Sequence, residues 1–181
     1  STTEKLICGL IQPSGGTIRL FGKPHTDADV RARVGVLIEA PGCYPNYTVW
    51  NNMKLQAANL GIKNADQEIV KVLKLVRMEG AAGNKYKNCS LGMKQRLGIA
   101  LALVNDPELL ILDEPTAALT LPEVEELFKI MNELRDKGIG MIYISHRMDE
   151  INRISDRVTV MRDGEYVGTV NTADVSKDDI V

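Results

Sequence analysis

LLILDEPT, at residues 109–116, is the most informative stretch of this chain. Residues 109–112 form an unbroken apolar run, which is typical of a strand buried on both faces of a parallel sheet. Asp113 and Glu114 follow the run directly, and Pro115 then turns the chain away. Because α/β sheets bind their ligands at the C-terminal ends of strands, two adjacent carboxylates at this place are expected to have a chemical purpose.

The two acids suit different parts of one reaction. One carboxylate can hold Mg²⁺ directly or through water. Its neighbour, which would point the other way off an extended backbone, can orient an attacking water. The alternative is that Asp113, Glu114 and Pro115 merely end a strand in a solvated turn. An apolar run followed by Asp-Glu does not by itself decide between the two interpretations, so other motifs must.

Two further segments carry candidate chemistry. In CSLGMKQR, at 89–96, Ser90 is placed to cap a helix that runs to Leu103, and the free N–H groups of its first turn can receive a phosphate. An ordinary capped helix is the alternative, and Cys89 beside the cap is expected to be an inert, packed thiol. His146 follows the apolar run 141–144, so it lies at another strand end, where a lone histidine is usually structural.

The order of the elements predicts an α/β fold. Val124, Leu127, Met131 and Leu134 form the apolar stripe of a helix between the buried strands 109–112 and 141–144, which makes a β-α-β crossover. The remaining predicted elements are a strand at 17–21, a buried strand at 34–38, a helical insertion over 40–103 and an antiparallel hairpin at 158–161 and 166–170. We therefore predict a mainly parallel sheet flanked by helices.

Composition limits the function classes. The chain has 181 residues, enough for one domain (1–181), and a formal net charge of -2, which offers no broad basic field for nucleic acid. Its apolar runs are far shorter than the roughly 20 residues that span a bilayer. Three cysteines at unpatterned spacing, and no visible signal peptide, predict a reduced cytoplasmic protein without direct membrane insertion.

The motifs taken together resemble one family. CSLGMKQR (89–96), LLILDEPT (109–116) and IYISHR (142–147) resemble, in that order, the signature loop, Walker B strand and switch histidine of ATP-binding cassette (ABC) ATPases. Residues 1–3 followed by KLICGLIQPSGGTI (5–18) resemble the end of a Walker A loop and its helix. The resemblance covers essentially the whole chain and implies a P-loop NTPase-type fold, with ATP and Mg²⁺ as cofactors.

The resemblance also implies roles for individual residues. Asp113 would be the metal ligand of the Walker B strand, Glu114 would polarise the hydrolytic water, and His146 would contact the γ-phosphate. Ser1 would help to ligate Mg²⁺, and Thr2 would lie near the phosphates. Glu39 stands at the Q-loop position, where a carboxylate can bind Mg²⁺ or water; a charged turn residue is the alternative.

The signature loop implies a partner. Ser90 and Gly92 would bind the γ-phosphate held by a second copy, with Leu91 and Met93 in the adjoining signature positions, because cassette domains close head-to-tail around two nucleotides. The implied partners are therefore a second ABC ATPase domain and transmembrane permease subunits, and no nucleic acid. The implied location is cytoplasmic, on the inner face of the membrane.

Some features depart from the family pattern. The glycines and lysine of the Walker A motif would precede Ser1, so the chain is expected to be truncated within that motif, with an impaired phosphate site and low stability alone. Residues 34–96 resemble bacitracin and lantibiotic exporters, whereas 113–170 resemble monosaccharide importers, and Thr120 replaces a frequent aspartate. A recombined chimera of two ABC ATPases and a non-transport ABC ATPase remain alternatives, and the cargo stays open.

Overall fold

The computed structural model describes residues 2–38 and 41–174. The chain's contacts divide it into two compact units, the first ending at Ile144 and the second beginning at Ser145. The single domain expected over 1–181 stays a prediction.

The first unit contains the sheet and most of the helices. In chain order its elements are α1 (Thr2–Ile7), β1 (Arg19–Leu20), β2 (Lys23–Pro24), α2 (Ala28–Ala32), β3 (Val34–Ile38), α3 (Val49–Asn59), α4 (Ala65–Leu75), α5 (Leu91–Leu103), β4 (Leu109–Asp113), α6 (Leu121–Asp136) and β5 (Gly140–Ile144). Strands β3, β4 and β5 form a parallel sheet with β4 in the middle.

The predicted β4-α6-β5 crossover is confirmed. The apolar run of β4 is buried because strands pair with it on both sides, and the stripe of α6 is buried against the core. Strand β5, predicted to be buried, is only half-buried, since within 2–38 and 41–174 it has a neighbouring strand on one side alone. The predicted strand at 17–21 is shortened to β1, because Phe21 (φ 52°) and Gly22 (φ 76°) form the turn into β2.

Residues 41–103 contain the helices α3, α4 and α5, and the helical insertion expected over 40–103 stays a prediction. Thr48 caps α3 by accepting a hydrogen bond at Oγ1 from the Asn51 N–H at 3.0 Å, and α4 buries one apolar face. Helix α5 lies so close to β3 that an added Cβ at Gly35 would come within 2.4 Å of the carbonyl oxygen of Ala102. The absence of a side chain at Gly35 therefore sets the spacing between insertion and sheet.

Asn52 organises the loop that precedes α3. This side chain is buried, and its Oδ1 accepts a hydrogen bond from the Tyr44 N–H at 2.8 Å. Its Nδ2 donates to the carbonyl oxygens of Thr48 at 2.9 Å and Tyr44 at 3.3 Å. One buried amide thus adds side-chain hydrogen bonds to the N–H and carbonyl groups of the loop.

Arg77 joins the insertion to α6. Its guanidinium donates to Glu126 and, at 2.5 Å, to Oε1 of Glu133, both on α6. The carbonyl oxygen of Arg77 accepts from Nη1 of Arg96 at 3.0 Å. The side chains of Arg77, Glu126 and Glu133 thus hold the end of α4 against the crossover helix α6.

The second unit contains α7 (Met148–Ile154) and the antiparallel strands β6 (Arg157–Arg162) and β7 (Glu165–Asn171). Asp163 (φ 52°) and Gly164 (φ 83°) both have positive φ, as a two-residue type I′ turn requires. The predicted hairpin is confirmed. Within the described parts of the chain, no helix combines the length and apolarity needed to cross a membrane.

Candidate functional site

Asp113 is the last residue of β4, and its side chain is 5% exposed. It lies level with Ile38 and Ile144, the last residues of the neighbouring strands. Glu4 of α1 is fully buried and shares a hydrogen bond with Asp113; burial raises the pKa of Glu4, and the hydrogen bond and charge of Asp113 raise it further. The middle strand therefore ends at two buried carboxyl groups, those of Asp113 and Glu4.

Glu114 is half-buried and has a left-handed backbone (φ 48°), not the extended one expected from the sequence. Its N–H still donates to the carbonyl oxygen of Ile144 at 2.9 Å, so the ladder continues one residue beyond β4 while the chain turns towards Pro115. Thr116 is then fully buried, with its Oγ1 3.2 Å from Oη of Tyr143. A non-glycine residue in this conformation costs about 1 kcal/mol or more, and packing around the turn maintains it.

The start of α5 has the expected cap. The Ser90 Oγ accepts a hydrogen bond from the Met93 N–H at 3.2 Å. Ser90 and Leu91 are exposed, Gly92 is buried, and Met93 is half-buried. Cys89 is buried, and burial raises the pKa of its thiol, which supports the inert packing expected for it.

Glu123, which the sequence did not single out, lies against this helix start. Its Oε1 accepts from the Gly92 N–H at 3.2 Å, and its Oε2 accepts from N and Oγ1 of Thr120 at 3.0 and 2.9 Å. The hydrogen bonds from Thr120, together with those from Gly92 and Ser90, hold the pKa of Glu123 below its usual value of 4.5. The Thr-x-x-Glu pattern of a capping box at 120–123 was the available signal.

Glu4 gave no comparable signal. A glutamate in the first turn of a helix is ordinarily a solvated residue that interacts with the helix dipole. Only the packing of α1 on the end of β4 reveals that this one is buried beside Asp113.

The other predicted site residues stand apart from these two groups. Thr2 is exposed at the start of α1. The same helix carries Glu4, whose side chain is hydrogen-bonded to Asp113. Ser1 and Glu39 lie outside the described residues. His146 is exposed in the second unit, so its place beside the carboxylates stays a prediction.

Comparison with known proteins identifies relatives over the whole chain. Residues 1–117 match the family model described as ABC transporter. A ribose import ATP-binding protein of Agrobacterium fabrum is 38% identical over 191 residues, covering 100% of this chain and 38% of that protein. Its namesake in Bacillus cereus is 35% identical over 196 residues, covering 100% of this chain and 39% of that protein.

Solved structures share the fold. CbiO1 of Clostridium perfringens, described as part of the ABC transporter complex CbiONQ, has a TM-score of 0.85 and 27% identity, over 96% of this chain and 72% of that one. A structure described as the ATP-binding subunit of an ABC transporter has a TM-score of 0.81 and 28% identity, over 96% and 74%.

The chain spans well under half the length of the curated import proteins that it matches, 38% in the Agrobacterium relative. Those alignments extend over all of this chain, so they give no support to a composite of two lineages. The family match over 1–117 includes the segments 89–96 and 109–116, and the solved structures share the fold. The chain therefore belongs to the ABC transporter family and has the ATPase-domain fold of that family.

Proposed function

We propose that this chain binds and hydrolyses Mg-ATP as the ATPase of an ABC transporter and couples that reaction to transport through permease subunits. The observation that carries the proposal is the end of β4, where the buried Asp113 is followed by Glu114 at the edge of a parallel sheet. Ligands of such sheets bind at this edge.

The residues at the site fit Mg²⁺. This ion prefers oxygen ligands and usually takes only one or two carboxylates, with phosphate and water completing its shell. Asp113 supplies a buried carboxylate, and within residues 2–38 and 41–174 no group of three or more His, Cys, Asp or Glu side chains forms an all-protein metal cage. We assign the metal to Asp113, with Ser1 and Glu39 as further oxygen donors. When bound, Mg²⁺ neutralises charge on the phosphates.

The remaining roles divide between water and phosphate. Glu114 orients and polarises the attacking water, since it follows the metal-binding acid directly and its backbone is fixed by the hydrogen bond to Ile144. His146 contacts the γ-phosphate, and Thr2 lies near the nucleotide phosphates. Catalysis of this type depends mostly on positioning and electrostatics.

A second copy would complete each site. Ser90 and Gly92 would donate to the γ-phosphate of the partner's nucleotide, flanked by Leu91 and Met93. The contact with Glu123 supports this assignment, because there the Gly92 N–H donates a hydrogen bond to an anionic oxygen. The active form is thus a head-to-tail dimer on the inner face of the membrane.

Monosaccharide import is the proposed cargo class. Support comes from the relatives, which are named as ribose import ATP-binding proteins, and from the importer-like stretch 113–170. Peptide-antibiotic export, suggested by residues 34–96, is the second candidate. Uptake of labelled ribose by cells that carry or lack the protein distinguishes the two.

Replacement of Glu114 tests the catalytic assignment. In the purified protein, Glu114→Gln should retain Mg-ATP binding and lose turnover by at least about 100-fold, because general-base catalysis typically contributes that much. Glu79→Gln, at an exposed glutamate, is the matched control and should leave both unchanged. Absence of ATP binding in the unsubstituted protein, or equal turnover after Glu114→Gln, would contradict the proposal.

A further inference from the structure

The carboxylate of Glu123 divides its two oxygens between two helices. Oε2 accepts from the backbone N–H and the hydroxyl of Thr120, at the start of α6. Oε1 accepts from the Gly92 N–H, in the first turn of α5, and Ser90 is a further hydrogen-bond partner of the same carboxylate. Ser90 and Gly92 are the two residues assigned above to the γ-phosphate.

Glu123 leaves no room for a second anion at this place. Gly92 has a single N–H, and Oε1 lies 3.2 Å from its nitrogen. An added Cβ at Gly92 would come within 2.6 Å of Oε1 and 2.8 Å of the carboxylate carbon, so the carboxylate already fills the space in front of the glycine. A phosphate oxygen that accepted from the same N–H would have to displace it.

Thr120 stabilises this arrangement. The sequence has threonine where the family frequently has aspartate, and the hydroxyl of Thr120 donates to Oε2 at 2.9 Å. An aspartate there would put a second carboxylate beside Glu123 and repel it. The residue at 120 therefore favours an ionised Glu123 within reach of Gly92.

We propose that Glu123 is an internal anion that holds the γ-phosphate position at the start of α5 and must leave before the nucleotide of a second copy can bind there. The identification of the displacing anion rests on the proposed function; the competition itself does not. Glu123 is thus an autoinhibitory residue for the closing of the dimer.

Inorganic phosphate tests the competition without nucleotide. The probe is the ¹H–¹⁵N resonance of the Gly92 amide, followed through a phosphate titration of the purified protein. Glu123→Gln should lower the half-saturating phosphate concentration about fivefold, or about 1 kcal/mol at 1.4 kcal/mol per tenfold change. Glu125→Gln makes the same charge change at an exposed position of α6 and should leave the midpoint unchanged.

Glu123→Asp distinguishes the effect of the hydrogen-bond contact from that of the negative charge, and it retains an acid in the first turn of α6. It keeps the negative charge but is one methylene too short for the contact, so it should follow Glu123→Gln. Circular dichroism confirms that each variant folds, and the Asp variant serves alone if Gln loosens the helix. Equal midpoints in all proteins, no saturable shift at Gly92, or an Asp variant that behaves like the unsubstituted protein would overturn the proposal.

A second measurement uses Mg-ATP in a Glu114→Gln background, where association of two copies is followed by sedimentation. Adding Glu123→Gln should lower the ATP concentration for half-association about fivefold. Equal ATP concentrations for all variants would overturn the role of Glu123 and leave the proposed function intact. Conversely, a phosphate titration that behaves as expected, with no ATP binding at all, would refute the proposed function and leave the competition at Gly92 standing.

Discussion

Gly35→Ala should be one of the most destabilising small substitutions in this chain. Gly35 lies in β3, and the Cβ that alanine adds would come 2.4 Å from the carbonyl oxygen of Ala102 and 3.1 Å from its carbonyl carbon. Real Cβ atoms do not approach oxygen so closely, so either β3 or α5 must move by about 1 Å. The two Ala102 atoms belong to the backbone of α5, so no side-chain rotation can relieve the contact.

The expected cost follows from this geometry. Inserting a methyl group into a well-packed interior costs about 1–3 kcal/mol, and a rigid backbone neighbour places Gly35→Ala at the upper end, about 3 kcal/mol. Gly140→Ala is the matched control in the same sheet, because its added Cβ would lie 3.5 Å from the carbonyl oxygen of Glu108, an ordinary contact. Removing a glycine from a strand without a clash should be neutral or stabilising by about 0.5 kcal/mol.

Urea unfolding of the purified proteins, followed by circular dichroism, measures both variants. The free energy of unfolding should fall for Gly35→Ala and not for Gly140→Ala, with similar dependence on urea concentration. If Gly35→Ala unfolded within 0.5 kcal/mol of the unsubstituted protein, the close approach of α5 to β3 would be wrong as described.

Two further substitutions test other parts of the fold. Arg77→Met should destabilise the first unit by about 1 kcal/mol at pH 7, because it removes two partly exposed ion pairs with α6. Arg77 lowers the pKa of Glu126 below its usual 4.5, so this stabilisation is present above pH 4.5 and is lost as the pH falls. Urea unfolding at pH 7 and pH 4 should therefore show a smaller difference in unfolding free energy between Arg77→Met and the unsubstituted protein at pH 4. Gly164→Ala should destabilise the hairpin by about 1 kcal/mol, because φ is 83° at this position. Amide hydrogen exchange in β6 and β7 should become faster in this variant. Gly168→Ala, with open space around the added Cβ, should leave the exchange rates unchanged.

Periodicity and turn chemistry were enough to predict most of the fold. The apolar run 109–112, the stripe of α6 and the Asp-Gly pair at 163–164 each have one structural solution, and the structure adopts it. Ser90 was predicted as a cap because its hydroxyl satisfies a backbone group only two or three residues away. These signals are local, so they can be recognised in a sequence.

The missed features depend on contacts between distant segments. Gly92 and Glu123 are 31 residues apart, and only the packing of α5 on α6 brings the carboxylate to the N–H. Likewise, Glu4 is buried because α1 packs against the end of β4, not because of its neighbours in the chain. The left-handed Glu114 combines a ladder hydrogen bond with a turn, a compromise that neither strand nor turn propensity expresses.

Asn52 connects the loop before α3 to the helix itself. Its side chain is hydrogen-bonded to both the N–H and the carbonyl oxygen of Tyr44, eight positions before it, so the loop is linked to the helix at two points. Tyr44 and Tyr47, both exposed, stack in that loop with ring centroids 5.2 Å apart. We therefore expect a displacement of the two tyrosines to be transmitted to α3, whereas a loop without the buried amide would bend.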